Sequence, residues 1–415
     1  MQPSGPTHGS GEAQASGDAA GERPSAALPA DERAPRVIAS TAPLADVATP
    51  SSDEEDDEGP GIALRRGQLV VAVLAALVVM LALYVGLPLI PGIQDDFGKL
   101  RDGQPLWLAA SFGFALLSFA GYVLMFRGVY RVGGNQRIDL AASYQITLAG
   151  LAATRILAAG GAGGLVLTAW ALRQAGMDRR TVADRTVTFL VLMYVPYMLA
   201  IVVGGLGMRW GLFPGPRTWG ITVLPALLGG TVIVLAAVAA LVPSDLERRI
   251  HHWGEHGGRR GKIAARMANL PASASTGVRG AWAHVRRGDL VTFGAFVYWG
   301  AQVASLWAAF RAFGETPSAA VVTLGFFIGM LGNLLPLPGG VGGVDGGMYG
   351  ALTALGSGGG VAVLAILAYR LFAFWLPTIP GFIAYLQLRR TVARWKEERR
   401  EERAALHDGS PSPAS

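Results

Sequence analysis

Hydrophobic residues fall in long blocks along this chain. The runs 69–90, 106–126, 186–208, 218–242, 290–310 and 361–388 are each apolar over roughly the 20 residues that a helix needs to cross a bilayer. They predict about six full spans in an all-α polytopic membrane protein. Two further apolar regions, 141–172 and the stretch from 318 to 347, are interrupted by glycine and proline. Such irregular backbone survives at membrane depth only where it is buried in protein or lines a polar cavity. The first can form two short spans or one re-entrant hairpin, and the second reads as a re-entrant helical hairpin.

Charged residues between the runs set the sides. Arg65 and Arg66 precede the first run, and Arg127, Arg131 and Arg137 follow the second. Arg173, Arg179, Arg180 and Arg185 follow the first glycine-broken region, and the loop 243–289 carries nine arginines or lysines against four acids. By the positive-inside rule these segments are cytoplasmic, as are both termini. The first hairpin then enters from the cytoplasm and the second, after 290–310 has crossed outward, from outside. Leu157–Leu165 can be laid beside Pro336–Val344 with four glycines in register, an internal repeat. Similar elements inserted from opposite faces predict inverted repeats with a substrate site near the midplane. The halves are about 67–210 and 211–390 of a transmembrane domain 67–390.

The second hairpin centres on Pro336-Leu337-Pro338-Gly339-Gly340-Val341-Gly342-Gly343-Val344-Asp345. If the chain turns helical just after Pro338, Gly339, Gly343 and Gly347 share one face, with Gly342, Gly346 and Gly350 beside them. That pattern has two readings. It permits close helix packing, or it aims the unpaired N–H groups of a half-helix at an anion such as a lipid phosphate.

Composition narrows the classes. The 415 residues are 51% hydrophobic and 15% charged with 57 glycines and a net charge of +6, which suits a membrane protein facing anionic lipid. No cysteine is present, so no disulfide, thiolate nucleophile or cysteine-held metal is available. Residues 1–66, ending in the acidic run Asp53–Glu58, read as a disordered tail without the pattern of a signal peptide. The tail 391–415 reads as charged and cytoplasmic, helical to about residue 406. No basic patch interleaved with aromatics on a soluble fold points to nucleic acid.

Three ionisable residues lie inside the apolar regions: Arg155, Asp345 and Arg370. Each costs about 2.5–3.5 kcal/mol at a helix centre on the insertion scale, so pairing or solvation is required. Two cations and one carboxylate leave a formal positive charge that an anionic headgroup could neutralise. Asp345 can lock the hairpin by pairing an arginine or carry a proton, and Arg155 can join the site or snorkel to the interface. The membrane region holds a single carboxylate and no histidine, whereas acid–base or metal chemistry needs more groups, so no enzyme, metal or cofactor is expected. His252 and His256 beside Glu255 give half of a metal-site spacing, which the basic loop explains as headgroup contacts.

Asn333 through Asp345, followed by Tyr369-Arg370 and by Pro377 through Gly381, resembles the membrane domain of the lysylphosphatidylglycerol synthase/flippase family. Thr154 through Gly164 and Leu172 through Gly176 resemble its first-half motif, so the resemblance covers about residues 65–390. Gly164 stands where that motif has an acid, and Asp345 replaces the more usual glutamate. The resemblance implies translocation of lipid between leaflets. No aminoacyl-transferase domain follows, so the expectation is transport without lipid synthesis, the cargo being an anionic or headgroup-modified phospholipid or a polyprenyl-phosphate-linked sugar.

The expected substrate site comprises Arg155, Gly160, Gly161, Gly163, Gly164, Pro338, Gly339, Gly340, Gly342, Gly343, Asp345 and Arg370. The expected partners are membrane lipid as substrate and the bilayer around it, with a homo-oligomer open, in a bacterial inner membrane. The rival reading is a non-transporting scaffold or accessory subunit of an envelope-lipid pathway, using the glycines for oligomerisation.

Overall fold

A computed structural model describes residues 103–131, 137–156, 162–241, 275–335, 337 and 340–408. The run 69–90, the tail 1–66, residues 242–274 and the site candidates Gly160, Gly161, Pro338 and Gly339 lie outside the described residues. In chain order the helices are α1 (Pro105–Tyr130), α2 (Leu140–Ile156), α3 (Ala162–Gln174), α4 (Arg179–Arg209) and α5 (Trp219–Leu241). There follow α6 (275–287), α7 (Leu290–Ala312), α8 (Ala319–Met330), α9 (Gly343–Ala354), α10 (Gly359–Arg370) and α11 (Thr378–Asp408).

Five stretches are long and apolar enough to cross a membrane: α1, α4, α5, α7 and the stretch from Gly359 to Glu402 that holds α10 and α11. They coincide with five of the six expected spans, and the sixth, 69–90, lies outside the described residues. The charged tail is also helical, continuing α11 to Asp408.

The α1–α7 pair is the axis of the molecule. Ser111 and Ser305 each donate a hydroxyl to the other's backbone carbonyl at 2.9 Å. Gly121 and Gly294 approach so closely that a Cβ on either would meet the other's carbonyl at 2.8–2.9 Å. The order of these contacts makes the pair antiparallel, and its registry depends on small residues because van der Waals contact replaces the hydrophobic effect in lipid. Trp299, Tyr197, Phe326 and Phe327 pack beside the axis, with Tyr197 donating to the Phe327 carbonyl at 2.9 Å.

Both glycine-broken regions are pairs of short helices. The arms are 17 and 13 residues in α2–α3 and 12 and 12 in α8–α9. At about 1.5 Å per residue, 12 residues reach roughly 18 Å, short of the ~30 Å hydrocarbon core. The open ends of the two pairs lie at opposite ends of the bundle. Near the first pair, Arg137 binds Glu398 and Glu402, while Arg399 donates to the Gln174 carbonyl at 2.7 Å. Thr188 of α4 donates to Gly277 of α6. The ends of α1, α3 and α11 and the starts of α2, α4 and α7 thus form one arginine-rich end. At the other end, Ser318 donates to the Pro214 carbonyl, and Glu315 accepts the Gly358 N–H at 3.0 Å.

Helix resumes later in the second hairpin than the expected position just after Pro338. Gly340 and Gly342 hold φ of 67° and 84°, and α9 starts at Gly343. Left-handed backbone here is open to glycine and strained for other residues.

Candidate functional site

Proline shapes the break in the last span. Pro377 has no N–H, so the Ala373 carbonyl loses its helical donor. The chain widens into a π-turn over Leu371–Trp375, closed by Leu376 N–H to the Leu371 carbonyl at 2.9 Å. Insertions of this kind recur at functional sites. Arg155, in the last turn of α2, donates to the carbonyl of Ala373 at 3.1 Å, to that of Phe374, and to Thr378 Oγ1 at 2.9 Å. Its guanidinium lies 4.6 Å from the centroid of the Phe374 ring. Arg155 therefore reaches inward to the broken helix instead of snorkelling.

Arg370, 8% exposed, closes α10 immediately before the π-turn. Its Nε donates to Asp345 Oδ1 at 2.5 Å and its Nη2 to Asp345 Oδ2 at 3.0 Å, a two-point pair. The same Nη2 approaches the Gly340 carbonyl at 3.4 Å, and the guanidinium lies 4.4 Å from the Phe374 centroid. One aromatic ring thus contacts both cations. The attraction of a guanidinium to a ring face is about 0.5–2 kcal/mol depending on desolvation.

Asp345 is the third residue of α9 and turns back to accept the Gly342 N–H at 2.9 Å. The helix N-terminus that sequence offers to an external anion is thus capped in part by the protein's own carboxylate. No carboxylate among the described residues pairs with Arg155, so two arginines share one acid here. Behind them Gln302 accepts from the Tyr369 hydroxyl at 2.7 Å.

The glycines divide by role. A Cβ on Gly164 would overlap Thr154 and the Gly150 carbonyl, so Gly164 lets α2 and α3 touch, and Gly163 is buried beside it. A Cβ on Gly343 would meet the Gly332 carbonyl at 2.9 Å, and Gly347 faces Gly329 in the same way. Gly342, Gly346 and Gly350 face open space. Of the residues expected at the site, the structure brings Arg155, Gly340, Gly342, Asp345 and Arg370 together. It places Gly164 and Gly343 in helix–helix contacts and buries Gly163.

A family model described as lysylphosphatidylglycerol synthase TM region matches residues 69–381. The chain belongs to that family. No curated protein and no solved structure matched it. The match to the synthase transmembrane family takes in both hairpins and the π-turn, and with the five apolar stretches it makes this a multi-pass membrane protein of a family concerned with lipid.

Phe374, Thr378, Tyr369 and Gln302 lie at this cluster and were missed as site residues by sequence reasoning. Pro377 was the available signal, since a proline in a span orphans the carbonyl four residues earlier. Nothing local announced that the donor to that carbonyl comes from residue 155.

Proposed function

We propose that the protein is a lipid translocator that moves an anionic or headgroup-modified lipid, of phospholipid or polyprenyl-phosphate type, between leaflets. The observation that carries this reading is the Arg155–Phe374–Arg370 cluster with a single carboxylate among the described residues, Asp345. A phosphate could take hydrogen bonds from Arg155, or compete with Asp345 for Arg370, at formal charge balance.

The hairpin arrangement supports alternating access. Residues flanking both hairpin tips contact the same segment, 370–378, while their open ends point to opposite ends of the bundle. The first arm of each hairpin also packs antiparallel on the long closing helix of the other half. Gln145 of α2 bonds Thr391 of α11, and Leu324 of α8 lies against Gly204 of α4. Exchanged packing of this kind suits two inverted re-entrant repeats around a midplane site. In this reading the arginine-rich end and both termini face the cytoplasm of a bacterial inner membrane, and the protein carries lipid without modifying it chemically.

The test is movement of fluorescent phosphatidylglycerol in proteoliposomes, read by dithionite bleaching. Wild-type protein should expose inner-leaflet label, and Arg155→Gln or Arg370→Gln protein of native elution profile should fall to the protein-free rate. Unchanged lipid movement in Arg370→Ala and Asp345→Asn proteins would overturn the site. The open face of Gly342, Gly346 and Gly350 favours the rival, an oligomerising scaffold. It would be supported by a stable oligomer that moves no lipid.

A further inference from the structure

We propose that α6, residues 275–287, is an interfacial helix that binds anionic phospholipid of the leaflet bordering the arginine-rich end. One face is committed to the protein. Ser275, Ala281 and His284 are buried, and Gly277 and Gly280 sit against Val187 and Thr188 of α4. His284 Nδ1 lies 2.5 Å from Asp289 Oδ2, and Asp289 Oδ1 accepts the Val291 and Thr292 N–H groups at the start of α7. These contacts fix α6 at the end of the bundle, at the level where a span leaves the membrane.

The other face is exposed, and there Arg279 donates to Ser275 Oγ at 2.8 Å and Arg287 to the Ala283 carbonyl at 3.0 Å, both within α6. Arg279, Trp282 and Arg286 recur at i, i+3 and i+7, which places them along one stripe. Trp282 is 61% exposed, and Val285 and Arg287 are exposed beside it. No acid occurs between Glu255 and Asp289, and Asp289 is occupied by its cap and by His284. Beyond it, α7 continues the apolar surface with exposed Leu290, Phe293 and Phe296. A tryptophan flanked by arginines and running into a lipid-facing span matches a headgroup layer in both parts. The indole fits the interface, and the guanidinium groups fit phosphate. An acidic soluble protein would meet the arginines yet leave Trp282 on a surface continuous with the span.

The absence of cysteine lets a single Val285→Cys carry an environment-sensitive label. The protein is placed in phosphatidylcholine nanodiscs with increasing phosphatidylglycerol. The label should report an apolar, lipid-accessible setting and respond saturably to phosphatidylglycerol. Arg279→Gln/Arg286→Gln should weaken that response about fivefold for each arginine removed. Arg279→Lys/Arg286→Lys should retain it, and added salt should weaken the response of the arginine protein, so a folding defect in one variant does not leave the outcome open. The proposal is overturned if the label responds equally to both lipids, or if the glutamine pair responds like wild type. It is also overturned if the label is shielded from lipid and water alike. None of these readouts depends on lipid translocation.

Discussion

Replacing Asp345 by asparagine keeps the side-chain volume and one acceptor for the Gly342 N–H, but takes the negative charge from beneath Arg370. Arg370 then keeps its charge while 8% exposed, with the Gly340 carbonyl at 3.4 Å and the Phe374 ring as its remaining contacts. Removing one partner of a buried pair costs roughly 3–5 kcal/mol. The Asp345 side chain is 31% exposed, so the lower part of that range, about 3 kcal/mol, applies. Arg370→Gln should cost a similar amount by stranding the carboxylate. In the double variant both charges are gone, and the neutral amides can bond each other. Its loss should fall below the sum of the single losses by about 2 kcal/mol, within the range found for residues in direct contact. Reversible unfolding in mixed micelles with increasing dodecyl sulfate, read by the fluorescence of the 10 tryptophans, supplies the three differences. Additivity within about 0.5 kcal/mol, or single variants as stable as wild type, would refute the idea that this pair holds the second hairpin to the last span.

Pro377→Ala supplies an N–H that can reach the Ala373 carbonyl. The new bond competes with Arg155 for that carbonyl, so lipid movement in proteoliposomes should fall while the protein keeps its native elution profile. Gly332→Ala would drive a Cβ into the Gly343 carbonyl and should cost about 1–3 kcal/mol, whereas Gly346→Ala meets nothing within 4 Å and should gain up to about 1 kcal/mol. The two melting temperatures should therefore move in opposite directions. Burial pushes the Asp289 carboxyl up, but hydrogen bonds from His284, Thr292 and Val291 outweigh it and hold the group below its ordinary value. Its contribution is full above the unfolded pKa of about 3.9 and is lost as pH falls through the lower folded value. Acid titration of the melting temperature should show a smaller loss in that window for Asp289→Asn than for wild type.

Much of the architecture was legible because a bilayer imposes simple rules on a chain. Length and hydropathy located five spans that the structure reproduces, since an apolar helix near 20 residues has no cheaper environment than lipid. The glycine-broken regions were likewise recognisable as helix pairs, and the cost of isolated charge singled out Arg155, Asp345 and Arg370 before any coordinates.

What sequence could not decide is which groups those three side chains meet, because each partner depends on a fold contact distant along the chain. Arg155 finds its carbonyls more than 200 residues away, where Pro377 has freed one and the π-turn has turned Phe374 between two cations. Glycines with the same local spacing divide between packing and open space according to the helix that lies opposite: Gly343 has Gly332, and Gly346 has nothing. Hydropathy and charge cost are properties of a residue in a solvent and can be read in one dimension. The pairing of a charge and the use of a glycine are properties of two surfaces in contact, which exist only once the helices have assembled.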